Sequence, residues 1–256
     1  MLTTRIPVIS RSASVNIPAT DLTALLNFDP NAQAFFSLNE KRVYSRTGTH
    51  ELIAGKPSTN PIAWGTNGLL FDSEVQADFH TDIKDSDNTS FTIVGVIKPA
   101  ILDLGSNFNY FLMGNYDGFT NSGSGLSFVN FKNTLAFNAG GMIDFVQTGQ
   151  KLDSSYMFVS ASVDKTNNLM SVYAKQISTG TEYSLSDVTG KDTNGAGYRD
   201  RGLPFGLGNP GYGSEVYSDK SEATEFSLYN SYMNLEALEG LYMDAKVRAN
   251  AYGVTI

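Results

Sequence analysis

The stretch from Tyr156 to Lys175, YMFVSASVDKTNNLMSVYAK, constrains the fold more than any other. Met157, Val159, Ala161 and Val163 share one face of its first half, and Tyr156, Phe158, Ser160 and Ser162 share the other. This is the period-two alternation of a half-buried strand. The second half repeats it, with Met170, Val172 and Ala174 opposed to Ser171, Tyr173 and Lys175. Between them Asp164-Lys165-Thr166-Asn167-Asn168 is built of residues that tolerate turns and left-handed backbone. A β-hairpin is therefore predicted, and its register is well specified, because a one-residue slip would carry one apolar face into water.

The rest of the chain follows the same grammar. AFFSLN from Ala34, NGLLFDS, SFTIVGVIKPA, Tyr110 to Gly114, Gly125 to Phe131, Thr134 to Ala139, Thr181 to Leu185 and TEFSLYN are predicted strands. In Phe91 to Ile97 both faces are apolar, which marks a central strand, and Pro99 closes it. Lys132-Asn133 stands where a tight hairpin turn belongs. The last strand is expected to turn Phe226 and Leu228 inward. NLEALEGLYMDAKVRA has helical spacing, with Asn234 as N-cap, Glu236 in the first turn, and Leu235, Leu238, Leu241, Tyr242 and Ala245 on one stripe. This helix is expected to pack against the end of the sandwich. A long Gly-rich loop after Leu185 is interrupted only by the apolar pair Phe205 and Leu207, and loops of that length in compact domains commonly bind.

With 256 residues, 24 glycines and 12% aromatic residues, the chain suits one all-β domain of many short strands. Residues 1–30 stand apart: Pro7, Pro18 and Pro30 among polar spacers predict an extended arm with a helical turn at Thr20 to Leu26. The formal charge of −8 argues against an electrostatic grip on nucleic acid or on an anionic membrane. No cysteine is present, so disulfides and thiolate metal sites are excluded. The N-terminal residues lack the apolar core of a secretion signal, and no apolar run has the length of a membrane span.

The order of these pieces resembles the concanavalin A-like lectin/glucanase superfamily, in its laminin-G-like jelly-roll branch. The likeness rests on AFFSLN, on NGLLFDSEVQADF in the place of the branch's apolar-Phe-Asp-Gly segment, and on SFTIVGVIKPA in the place of its Ser-Phe-Thr-Ile…Lys-Pro strand. The Tyr156 to Lys175 hairpin, and ATEFSLYNSYMNLEALEGLY as closing strand and helix, complete it over residues 34–248. The chain departs from the family at Ser73, at Val96 and at Tyr156 to Phe158, where Gly, Trp and a Trp-His pair are usual. The resemblance implies an all-β antiparallel sandwich with one short C-terminal helix, behind the arm.

Glycan-cleaving members of the superfamily carry a Glu-x-Asp-x-x-Glu strand motif that sets two carboxylates about 5 Å apart. That motif is absent, so a non-enzyme is expected. His50 and His80 are too few and too separated for a His-based metal site or triad, and each is expected at the surface. Asp78, Asp82, Asp85 and Asp87 invite a calcium reading, but Asp85-x-Asp87-x-Thr89 lacks the Gly and the bidentate Glu of a calcium loop. A solvated acidic loop is preferred, and no cofactor is expected. Trp64 is expected in the packing.

Sugar recognition needs aromatic faces beside planar polar groups. Tyr198, Arg199, Asp200, Arg201 and Tyr212 in the long loop, with Tyr116 and Asp117 in another, are the candidate ligand-binding residues, with Tyr217, Asn115 and Phe119 beside them in those loops; the alternative is that these tyrosines cover the core edge or contact a partner subunit. The resemblance, the arm and the missing signal and cysteines together lead to one expectation. It is a non-catalytic structural or adhesion protein of a tailed-phage virion, a capsid decoration or tail subunit assembled in the host cytoplasm. Its expected partners are other virion proteins through residues 1–30, further copies of itself, and a host-surface glycan. Neither nucleic-acid binding nor membrane insertion is expected. The alternative is a carbohydrate-binding module or glycan-active enzyme of the same superfamily.

Overall fold

The computed structural model describes residues 28–55, 62–72, 78–101, 109–116, 123–189, 197–208 and 220–256. Residues 1–27 of the expected arm lie outside these, so the arm's expected conformation does too.

Two antiparallel sheets form the body. The eight-stranded sheet runs in the order β13 (Thr181–Thr189), β12 (Leu169–Gln176), β11 (Met157–Asp164), β6 (Ser90–Lys98), β15 (Ser221–Tyr229), β4 (Leu69–Phe71) and β3 (Ala63–Trp64). Its remaining strand, β1 (Ala34–Ser37), pairs with β15 beside β4. The seven-stranded sheet runs β10 (Ile143–Lys151), β9 (Thr134–Ala139), β8 (Leu126–Phe131), β7 (Asn109–Gly114), β14 (Pro204–Leu207), β5 (Phe79–Lys84) and β2 (Ile53–Ala54). Helix α1 (Leu235–Ala251) follows the last strand. This is the jelly-roll sandwich expected from the sequence.

The predicted hairpin forms with Ala161 opposite Val172 and Asp164 opposite Leu169. Asp164 shapes its turn, accepting the Thr166 and Asn167 amides at 2.9 and 3.1 Å, and Asn168 takes the left-handed backbone at φ 52°. Lys132 and Asn133 likewise both have positive φ, as a two-residue hairpin turn requires. β6 is central, flanked by β11 and β15, as its two apolar faces demand.

Met157, Val159, Ala161 and Val163 enter the inter-sheet core with Phe128, Phe137, Phe226 and Leu228. The other face of β11 is not half-exposed as expected. Phe158 and Tyr156 are covered by α1, in a second cluster with Tyr173, Leu238, Tyr242 and Ala245. The helix thus lies on the outer face of the eight-stranded sheet, not at the end of the sandwich. Three rings lock it there: Phe158, Tyr173 and Tyr242 stand 5.6–6.2 Å apart in tilted or edge contacts, each worth about 0.5–1.5 kcal/mol beyond burial. Ser160 and Ser162 tolerate this cover because Ser160 donates to the Tyr173 carbonyl and Ser162 accepts from Thr92 and the Met233 amide. Asn234 caps the helix as predicted, accepting the Ala237 amide at 3.0 Å.

At the C-terminal end of α1, Arg248 forms a bidentate ion pair with Glu225 of β15, both contacts 2.8 Å, with side chains only 4% and 8% exposed. Burial would pull the guanidinium pKa down, but the adjoining carboxylate outweighs it and pushes it up. The periodicity of α1 does not reveal this pair, since Arg248 reads as an ordinary last-turn cation.

Two elements correct the sequence reading of the seven-stranded sheet. Residues taken for a solvated acidic loop contain β5, FHTDIK, with Phe79, Thr81 and Ile83 buried. The long loop contains β14, which seats Phe205 and Leu207 between β5 and β7. Trp64 is partly buried against the core, as expected.

Candidate functional site

The segment 197–203 enters β14 across the rim of the sandwich, and a carboxylate holds it there. Asp85 follows β5 in a 3-10 turn, Asp85–Asp87, and is fully buried. Its Oδ2 accepts the Arg201 amide at 2.8 Å and the Tyr198 hydroxyl at 3.1 Å, and its Oδ1 accepts the Gly202 amide at 2.9 Å. The nearest cation on this residue is Lys165, from the β11–β12 turn, whose ammonium donates to the Asp85 carbonyl at 2.8 Å. The same ammonium pairs with Asp200 at 2.9 and 3.2 Å.

Further bonds lace the strap to the ends of β7, β8 and β9. Arg201 donates through Nη1 to the carbonyls of Asn115 and Tyr116 at 2.8 and 2.9 Å. The Asn115 side chain donates to the Leu203 carbonyl and accepts the Leu126 amide. The Gly125 amide donates to the Arg199 carbonyl, and the Arg199 amide donates to the Gly140 carbonyl. Two glycines make this closeness feasible. A Cβ on Gly197 would lie 1.8 Å from Asn168 Oδ1, and one on Gly141, at φ +80°, would lie 2.1 Å from the Gly197 carbonyl oxygen.

The candidate binding residues divide sharply. Tyr198 and Tyr116 were expected to offer ring faces at the surface. Instead Tyr198 packs edge-on to Phe91 with ring centres 5.4 Å apart, and its pKa is pushed well above the phenol range by burial first and the Asp85 charge second. Tyr116 is 3% exposed beneath Gly123, whose added Cβ would meet its hydroxyl. Tyr198 faces inward onto Phe91, which in turn packs on Phe205. Arg201 turns its guanidinium inward onto backbone carbonyls. Arg199 is half-buried, and Asp200 is exposed and paired with Lys165. Asp117 and Tyr212 lie outside the described residues, as do Phe119 and Tyr217.

Sequence reasoning missed the role of Asp85, which was grouped with its acidic neighbours. Those neighbours are not a metal cage. Asp87 accepts the Lys84 amide, Asp78 pairs with His80 at 3.2 Å, and exposed Asp82 pairs with His50 at 2.7 Å. Among the described residues no group of three or more His, Asp or Glu side chains could hold a metal ion. Chemically, the strap offers the exposed Asp200 carboxylate with its Lys165 partner, the exposed Leu203 side chain and the half-buried Arg199, on a backbone held by Asp85, Asn115 and Gly140.

No protein-family model matches the chain, and no curated protein matches it. Solved structures do. The binding domain of botulinum neurotoxin serotype G is similar at TM-score 0.54 and 12% identity, over 84% of this chain and 51% of that one. The serotype D binding domain gives 0.53 and 10%, over 91% and 56%. Trypanosoma rangeli sialidase in complex with sialic acid gives 0.56 and 17%, over 84% and 33%. The chain therefore spans about half or less of the length of these proteins, and the likeness establishes a shared antiparallel β-sandwich fold.

Proposed function

We propose that the protein is a non-catalytic adhesion or structural subunit of a tailed-phage virion, with a laminin-G-like sandwich that recognises a glycan through its rim. The observation that carries this reading is the strap: the buried Asp85 carboxylate fixes a rim segment that bears the exposed Asp200, paired with Lys165, and the half-buried Arg199, both planar and polar. A guanidinium and a carboxylate in fixed geometry suit sugar hydroxyls and acidic sugars, and a preorganised segment loses little freedom on binding. The similar structures include two named binding domains and a sialidase bound to sialic acid, which supports glycan as the ligand class. Residues 1–30 dock the subunit on other virion proteins, and copies of the chain assemble together.

The test is a glycan array probed with the full chain and with Arg199→Ala. Binding to a defined glycan set, lost about tenfold or more in the variant, is expected. An array without binding overturns the glycan assignment, and sugar release from a bound glycan overturns the non-catalytic one. For the virion role, the full chain is expected to associate with virions, and a chain lacking residues 1–30 is not. Equal association of both removes the arm.

A further inference from the structure

Behind the Arg248–Glu225 pair lies a cavity of about 10 Å³, lined by Ser37, Asn39, Val96, Thr224, Glu225, Arg248, Ala249 and Tyr252. Three of these residues carry a buried polar atom without a protein partner: Asn39 Nδ2, Arg248 Nη1 and the Tyr252 hydroxyl. They come from two distant parts of the chain: Asn39 from the turn just after β1, and Arg248 and Tyr252 from the C-terminal end of α1. Arg248 as a whole is 4% exposed, so solvent outside the fold does not serve its free Nη1. Buried donors left unpaired lose their hydration without replacement, so their gathering around one cavity calls for an acceptor inside it.

We infer that this cavity is a binding site for a single water molecule that joins the turn after β1 to the C-terminal end of α1. Size and charge select the ligand. The volume stands at the lower limit, about 10–15 Å³, for one water. A halide would also accept from all three donors, but the one cation present already faces Glu225 in a bidentate pair, with Asp244 adding further negative potential. A third negative charge there would be uncompensated, whereas a neutral acceptor leaves the pair intact. Water accepts from Asn39 and Arg248 and donates to the Tyr252 oxygen, so all three groups are satisfied at once.

The experiment is a crystal structure of the full chain at about 1.5 Å, from crystals grown with and without sodium bromide. One density feature within about 3.2 Å of Asn39 Nδ2, Arg248 Nη1 and Tyr252 Oη, without anomalous bromide signal, is expected. An anomalous peak at that position overturns the choice of water. The absence of density, with the three groups turned onto protein acceptors, overturns the site. Tyr252→Phe, folded by circular dichroism, is expected to lose or weaken the feature while Arg248 stays on Glu225. An undiminished feature in that variant contradicts the three-group arrangement, and an unfolded variant leaves the wild-type crystals to decide.

Discussion

Asp85 and Glu225 are both carboxylates taken out of water, 0% and 6% exposed, yet opposite chemistry answers them. Glu225 meets a full countercharge on α1 and fastens a helix to the sheet. Asp85 meets two backbone amides and a phenol, with the nearest ammonium bound to its own carbonyl, and fastens a strap. The difference teaches that the two faces of this sandwich are secured on different scales. The helix side depends on ion pairing within a large apolar contact, so a broken pair leaves a charge trapped under the helix. The rim depends on hydrogen bonds that can be exchanged for water once the strap lifts, so a broken latch opens locally.

The sharpest test of that contrast is Arg248→Ala, which strands Glu225 beneath the helix. A loss of about 3–5 kcal/mol is expected in urea unfolding, and Arg248→Met with Glu225→Met together should recover most of it. Asp85→Ala comes next. It leaves the Arg201 and Gly202 amides and the Tyr198 hydroxyl without their acceptor, and about 2–3 kcal/mol is expected, reduced by whatever water the lifted strap admits. Gly141→Ala forces both a left-handed backbone and a contact with the Gly197 carbonyl, so a loss of about 1–3 kcal/mol is expected, with displacement confined to the rim.

The smallest effects lie in the hairpin of the eight-stranded sheet. Burial pushes the Asp164 pKa up, but hydrogen bonds from Asn167 and Thr166 outweigh it and hold it below the usual value of about 4. Its folded pKa lies below its unfolded one, so the stabilisation is present above about pH 4 and is lost as pH falls through the folded value. Asp164→Asn should therefore flatten the acid limb of a thermal-melt profile below about pH 4 and lower stability near neutrality by less than about 1 kcal/mol. Glu182, mostly exposed beside Lys175 at 3.0 Å, should matter less still, by under about 0.5 kcal/mol in Glu182→Gln.

The sequence carried the strands whose alternation reports one buried face, and it carried the turns whose residue types demand left-handed backbone. β11, β12, β8 and β9 were legible for that reason, with the Lys132-Asn133 turn between the last two. β5 was not, because His80, Asp82 and Lys84 fill its outer face and drown Phe79, Thr81 and Ile83 in polar signal. β14 is four residues with a glycine, too short for any period to show. The stripe on α1 predicted a buried face, but the cover expected for it, the end of the sandwich, gave way to the outer face of the eight-stranded sheet, because periodicity within a helix carries no information about its partner. The two serines on β11 suggested exposure, while their hydroxyls in fact bond to neighbouring strands and to the Met233 amide. At the rim, the sequence offered Tyr198 and Tyr116 either as ring faces for a ligand or as cover for the core edge, and both pack inward. A tyrosine's hydroxyl serves a buried carboxylate as readily as a sugar, and composition does not tell the two apart.

The central claim is that one buried carboxylate holds the strap at the rim, and backbone exchange of the Arg201 and Gly202 amides reports on it directly. Hydrogen exchange in wild type and in Asp85→Ala should show those two amides exchanging at least about tenfold faster in the variant, while amides in the middle of β6 and β11 keep their protection. Equal exchange at Arg201 and Gly202 in the two proteins would contradict the latch, and so would acceleration spread evenly over both sheets.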